Sequence, residues 1–257
     1  MSARIDFNCD MGESFGAYTL GLDEQIIRHI TSANIACGFH AGDPGWMRRT
    51  VALAEAHGVG VGAHPGFPDL RGFGRRNLDA TPAEIRDDLT YQIGALTAFT
   101  SAKRLQHVKP HGALYNMAVG RDDYASAIAD AVVGMDPELI LVVLAGSRWV
   151  EVAARAGARV AREVFADRAF QADGTLVPRS QPGAVLHDAS EVVERSLRLV
   201  TESTVVAVTG EIVHMPADTI CLHGDTPGSV ALAEALRRAF EGAGVTLAPM
   251  ADIAGRS

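Results

Sequence analysis

Short apolar runs alternate with longer stretches of helical period along most of this chain. The segments 4–10, 32–38, 59–64, 105–110, 139–145, 160–166, 204–208, 218–224 and 245–250 are too short for ordinary helices and read as strands. Helix starts are marked between them. Asp43-Pro44 joins an N-cap to proline at the first helical position, and Gly58 closes that segment. Thr81-Pro82-Ala83-Glu84 has the form of a capping box and opens a helix running to about Ser101. Asp188 to Glu191 and Thr226-Pro227 open two more. Residues 204–215, TVVAVTGEIVHM, predict a local antiparallel hairpin. Strands alternating with helices in this way predict a parallel α/β fold.

Polar residues interrupt the pattern at one recurring place, the end of each strand. Asn8, Asp10 and Glu13 follow the first, and Asn34, His40 and Asp43 the second. His64, then Lys109 and His111, then Asp167 and Arg168, and finally His223 and Asp225 end later ones. A doubly wound sheet binds ligands mainly at one switch point, whereas a (β/α) barrel gathers functional residues from the carboxyl ends of many strands. Six polar strand ends fit a closed barrel better.

Composition narrows the function. The 257 residues are 47% hydrophobic, enough for one large core, and no Ser/Gly/Pro-rich linker divides them, so one domain over 1–257 is expected. A net charge of −8 argues against nucleic acid, whose phosphates need a clustered basic face. No apolar run approaches the ~20 residues that span a bilayer. Cys9, Cys37 and Cys221 are dispersed within apolar runs and read as small buried hydrophobes in a reducing cytoplasm. Small molecules and proteins, including further copies of the chain, remain as partners.

The stretch HVKPHGALYN (107–116) holds one of only two lysines, Lys109, between His107 and His111. Alternation puts all three on one face of a strand. His107, deeper in the strand, reads as a hydrogen-bonded core histidine. Lys109 reads as a cation for a developing oxyanion or a phosphate, with little part in the core. GAHPGFPDLRGFGRR (62–76) is a turn-rich loop whose Arg71, Arg75 and Arg76 suit a carboxylate or phosphate. Asp43 competes for a role as a helix cap, while His40, between two glycines, has no such alternative. Asp167, Arg168, Arg179, His223 and Asp225 complete the polar set. A phosphate loop is excluded, because no glycine precedes a lysine. Without a C-x-x-C or a helix-borne histidine pair, a tightly bound zinc is not expected; if a metal is held, Asp10, His40 and His64 are its ligands.

Taken together, DFNCDMGE, SANIACGFHAGDP, GAHPGFPD with GFGRR, HVKPHGALYN, EVFADR, ADGTLVPRS and CLHGD resemble, in order and spacing, the LamB/YcsF family. The resemblance runs from residue 4 to about 248. Phe170, where the family pattern has tyrosine, is a small departure. The resemblance implies an irregular seven-stranded barrel related to deacetylase and glycoside hydrolase barrels, with the hairpin and last strand as additions. It also implies the first component of an ATP-dependent 5-oxoprolinase, which opens the lactam of 5-oxoproline to L-glutamate with subunits B and C. ATP and Mg²⁺ would be the cofactors. In that reading Lys109, Arg71, Arg75 and Arg179 face phosphates, and Asp10, Glu13, His40, His64 and His111 do acid/base work or hold the nucleotide's Mg²⁺. Asn8, Asn34, Asp43, Asp167, Arg168, His223 and Asp225 complete substrate and nucleotide binding. Two other readings stand beside it: a self-sufficient metal-dependent deacetylase or amidohydrolase, and a non-catalytic component that binds a small ligand.

Overall fold

The first strand, β1 (Arg4–Met11), shows how the sequence dictates the architecture. Ile5, Phe7, Cys9 and Met11 alternate with Asp6, Asn8 and Asp10, yet Asp6 and Asn8 are as fully buried as the apolar set. A strand covered on both faces, one of them polar, needs an enclosed interior that satisfies hydrogen bonds. The computed structural model, which describes residues 3–224 and 228–254, supplies it as a closed barrel.

After β1 come α1 (Asp23–Ile26), β2 (Ser32–Ala36), α2 (Pro44–Ala56), β3 (Gly60–His64), α3 (Pro82–Thr97) and β4 (His107–Val108). The chain continues through α4 (Gly112–Gly120), α5 (Asp122–Met135), β5 (Ile140–Leu144), α6 (Trp149–Arg155), β6 (Arg159–Phe165) and α7 (Ala189–Glu202). It ends with β7 (Thr204–Val206), β8 (Ile212–His214), β9 (Thr219–Leu222), α8 (Ser229–Gly242) and β10 (Thr246–Leu247). Strands β1 to β6 and then β9 pair in parallel, and β9 returns to β1, so seven strands close the barrel. β7 and β8 form the separate antiparallel hairpin, and β10 adds to the start of β1.

Local chemistry explains the helix starts. Asp43 accepts a hydrogen bond from the Trp46 amide at 2.9 Å and caps α2. Thr81 and Glu84 make the reciprocal capping box of α3, which stops at Thr97, short of the expected Ser101. Asp188 caps α7 by accepting from the Glu191 amide. Thr226 and Pro227 lie outside the described residues, and α8 begins at Ser229.

Register carries the inward face around the barrel. From Asp10 the paired positions run through Asn34, Gly62, His107 and Ile140 to Arg159. Arg159 stands four residues before Glu163, whose line through Thr219 reaches Asp6. The walk therefore meets β1 again eight residues before its start, and this even stagger keeps every inward position inward. The outward faces meet the helices, Phe7 packing edge-on against Phe240 with ring centroids 6.1 Å apart. Inside, the lower end on the β5–β6 side is apolar, where Ile140, Val142 and Ala161 meet Met250 and Ala254. The β1–β4 side is polar.

Gly62 shows how tightly that polar side is filled. A β-carbon there would stand 2.1 Å from Nε2 of His107, whose ring occupies the space. The same nitrogen lies 2.7 Å from Asn34 Oδ1, and His107 is fully buried. Gly62→Ala should cost about 1–3 kcal/mol of stability by displacing the ring. Gly134→Ala, in α5 with no atom within 4 Å of the added carbon, should instead gain roughly 0.5–1 kcal/mol. Urea unfolding of the two variants checks both signs.

Burial, followed by the Lys109 charge, pushes His107 down to about 3. An unfolded histidine takes up its proton near about 6.5, so between those values the unfolded chain binds more protons than the folded one. The contribution to stability is therefore full above about pH 6.5 and is lost as pH falls towards 3. Chemical unfolding from pH 7 to pH 4 should show this slope, and His107→Gln should flatten it.

Candidate active site

The barrel presents its last inward residues as the floor of a cavity of about 700 Å³. Asp10, His64, Lys109, Leu144, Phe165 and His223 all line it, at or just beyond the ends of β1, β3, β4, β5, β6 and β9. The wall comes from Arg75 on the loop after β3 and from Arg168 and Arg179 on the connection after β6. Strand β2 ends instead in Ala36, and its following loop carries His40, fully buried beside His64 and His111 and outside the cavity lining.

Lys109 is the centre of this arrangement. Its ammonium donates to Asp10 Oδ1 at 2.9 Å and lies 3.0 Å from Glu163 Oε1 and 3.0 Å from Cys221 Sγ. Asn34 Nδ2 donates to the same Asp10 oxygen at 2.8 Å and to Asn8 Oδ1 at 2.7 Å. Asn8 in turn donates to Glu163 and Thr219. Burial alone would neutralise both members of the central pair. For Asp10, burial is outweighed by the neighbouring His64 ring and the Lys109 ammonium, which hold the carboxyl well below its usual range. For Lys109, burial is outweighed by Asp10, Cys221 and Glu163, which push the ammonium well above its ordinary value. The pair is therefore ionised.

Lys109 is only 3% exposed and neutralises buried carboxylates, so the expectation that it matters little to the core is corrected. Proline at 110 directs the chain into α4, and the Lys109 carbonyl accepts from His64 Nδ1 at 2.6 Å. A second relay lies across the cavity. His223 Nδ1 is 2.9 Å from Asp167 Oδ2, and its Nε2 is 2.9 Å from Arg179 Nη2. Burial raises the Asp167 carboxyl, but its contact and hydrogen bond with His223 and the nearby Arg179 guanidinium lower it further, leaving it below its usual value. The His223 ring stacks on Phe165.

Other sequence candidates fall elsewhere. Arg71 is on the exposed turn after β3 and does not line the cavity; the neighbouring Arg76 binds Asp69. Asn8 and Asn34 are buried inside the barrel and do not line the cavity; they hold Glu163 and Asp10 by hydrogen bonds. Asp43 accepts from the Gly16 amide as well as capping α2, which makes it a loop anchor. Arg168 faces the cavity, but donates to the Ala184 and Val177 carbonyls. Glu13 is buried near His40 and His111, and Asp225 lies outside the described residues. Phe170 is buried beneath the Arg195 guanidinium, so the position that departs from the family pattern is a packing position here.

Glu163 and Cys221 are the residues that sequence reasoning missed. Glu163 shares alternate positions with Phe165 and Asp167, the same signal that marks Asp6, Asn8 and Asp10. Cys221 is buried as expected, but it touches the buried ammonium of the cavity floor.

The LamB/YcsF family profile matches residues 5–255. A protein of Pyrococcus furiosus, named as the A subunit of 5-oxoprolinase, is 54% identical over 251 residues, covering 97% of this chain and 98% of its own. The crystal structure of a lactam utilization protein from Thermus thermophilus superposes with a TM-score of 0.90 at 50% identity, over 95% of this chain and 99% of that one. A deacetylase called T48, at 13% identity and a TM-score of 0.52 over 98% of this chain and 90% of its own, shares the fold alone. With the family's match spanning nearly the whole length and its sequence relatives this near, the chain belongs to the LamB/YcsF family.

Proposed function

We propose that this chain is the first component of an ATP-dependent 5-oxoprolinase of the cytoplasm, opening the lactam of 5-oxoproline to L-glutamate together with subunits B and C. The observation that carries the reading is a buried ammonium, Lys109, at the floor of a cavity whose wall bears three arginines. 5-Oxoproline has one carboxylate and one lactam carbonyl. Arg179, oriented by His223, suits the carboxylate, while Lys109 offers a fixed positive charge to the lactam oxygen. The relatives' names supply the substrate class and the idea of companion subunits.

A five-membered lactam resists water, so its oxygen needs to be made a better electron sink first. In this reading ATP phosphorylates that oxygen and departs as ADP; water then adds to the carbon, the ring C–N bond breaks with its nitrogen leaving as the amine, and a second water releases phosphate from the resulting acyl phosphate. The arginines and Lys109 stabilise the negative charge that these steps place there. His223, held by Asp167 at Nδ1, accepts from Arg179 at Nε2 and so fixes that guanidinium over the cavity. Asp10, Glu163 and Asp167 already engage Lys109 or His223, so they form no oxygen-rich set for Mg²⁺, and the ion enters with the nucleotide.

Lys109→Met should lower glutamate release by the reconstituted complex at least about 10²-fold, the usual loss when a transition-state cation or donor is removed. It should also cost about 3–5 kcal/mol of stability, because Asp10 and Glu163 are left uncompensated. Assays therefore run at a temperature where circular dichroism shows the variant folded. Lys103→Met, on an exposed turn, should change neither quantity.

Mixing the three purified proteins with 5-oxoproline and Mg-ATP tests the whole reading. Glutamate and ADP should appear together, and neither should appear when this chain is omitted or assayed alone. Glutamate released by the isolated chain without ATP would replace the reading with that of a self-sufficient hydrolase.

A further inference from the structure

Beside the ammonium cluster lies a second group of side chains that the proposed reaction does not need. Glu13, His40, His64 and His111 each direct a ligand atom into one region, all four atoms lying within 4.8 Å of one another. They come from the ends of four successive strands, β1 to β4, so no short sequence spacing reveals them.

Hydrogen bonds fix what the two central imidazoles present. His64 Nδ1 is 2.6 Å from the Lys109 carbonyl, and His111 Nε2 is 2.8 Å from the Phe73 carbonyl. A carbonyl only accepts, so both of these nitrogens carry the proton. In the neutral rings the other nitrogens, His64 Nε2 and His111 Nδ1, then carry lone pairs. They face each other at 2.9 Å. Asp10 Oδ2, a further acceptor, is 3.3 Å from His64 Nε2. Lone pairs that close repel unless a cation lies among them.

A tetrahedral site with ligand bonds of about 2.0–2.1 Å has neighbouring ligand atoms about 3.3 Å apart. Here the separations are 2.9 Å between the two imidazoles, 3.9 Å from His111 Nδ1 to Glu13 Oε1 and 3.8 Å from Glu13 Oε1 to His40 Nε2. Histidine nitrogens anchored by backbone carbonyls are also how proteins orient metal-binding imidazoles.

His40 is the independent observation. It is fully buried, and neither of its ring nitrogens has a hydrogen-bond partner among the described residues. Leaving such a group unsatisfied is costly. Its ring stacks on His111 at 3.7 Å with planes 2° apart, so it must turn edge-on to share a ligand with that ring. No hydrogen bond among the described residues opposes the turn.

We propose that Glu13, His40, His64 and His111 form a binding site for one divalent transition-metal ion of the zinc class. Three imidazoles and one carboxylate suit zinc, cobalt or iron rather than magnesium, which takes oxygen ligands. This revises the expectation of no bound zinc, which rested on the missing helix-borne pair; the barrel supplies the convergence instead. His64 and His111 also line the large cavity, so a bound ion supplies a Lewis acid at its floor. The site stands independently of the oxoprolinase reading.

Chelator-stripped protein loaded with cobalt(II) and then desalted tests the site by elemental analysis and visible absorption. Wild-type protein should retain one ion per chain, as should His57→Ala, which removes an exposed histidine. His64→Ala and His111→Ala should each retain less than a tenth of that. Wild-type protein also gives a readout that needs no variant: cobalt should shift the exchangeable ring protons of His64 and His111 outside the diamagnetic range of the proton spectrum. Absence of a stoichiometric ion, retention of it by both alanine variants, its loss from His57→Ala, or unshifted ring protons would each overturn the proposal. A single shared proton would then account for the 2.9 Å contact.

Discussion

One ammonium inside the barrel organises the rest of this molecule. Lys109 is surrounded by Asp10, Glu163 and Cys221, and a charge in such a place persists only if its partners are fixed around it. The two asparagines supply that fixation. Asn8 and Asn34 bridge the carboxyl groups of β1 and β6, and His107 ties Asn34 to β4. The interior residues of five strands, β1, β2, β4, β6 and β9, therefore form one network, whose upper surface is the cavity floor. Stability and chemistry use the same atoms here.

Much of this was legible in the sequence, and particular residues show why. β1 declared itself by strict alternation, and the caps of α2, α3 and α7 by side chains that satisfy orphan amides. Strand-end placement found Lys109, His64 and His223 because position along a strand is a local property. Inside and outside were harder to separate. Asn8 and Asn34 carry the same residue types as a ligand site, and only the closed barrel shows that Lys109 and Asp10 lie above them. Arg71 lies off the cavity while its neighbour Arg75 reaches it, and nothing in the loop's composition distinguishes the two. Glu163 was overlooked because the alternation that joins it to Asp167 passes through the apolar Phe165 and is weaker than the all-polar run of β1.

The connections divide the work between them. The loop after β3 delivers Arg75 to the rim, and the Phe73 carbonyl of the same loop sets the tautomer of His111. The long connection after β6 carries Arg168 and Arg179, and the Arg168 guanidinium holds that connection in place through the carbonyls of Val177 and Ala184. One arginine thus stiffens the segment that presents another. The arginines of the cavity wall sit on loops, while the charged floor, Asp10 and Lys109, sits at strand ends.

The even stagger of the barrel acts as a reading frame for the whole interior. Seven strands can alternate inward and outward without contradiction only because the walk around them closes on a position of the same parity. An extra residue within β2 would have the effect of a frameshift, turning Asn34 towards the helices and Ile35 towards Asp10. Loops carry no such parity and tolerate length changes freely. Evolutionary tinkering with this protein is therefore channelled to its rim, while the strands can change in composition but not in count.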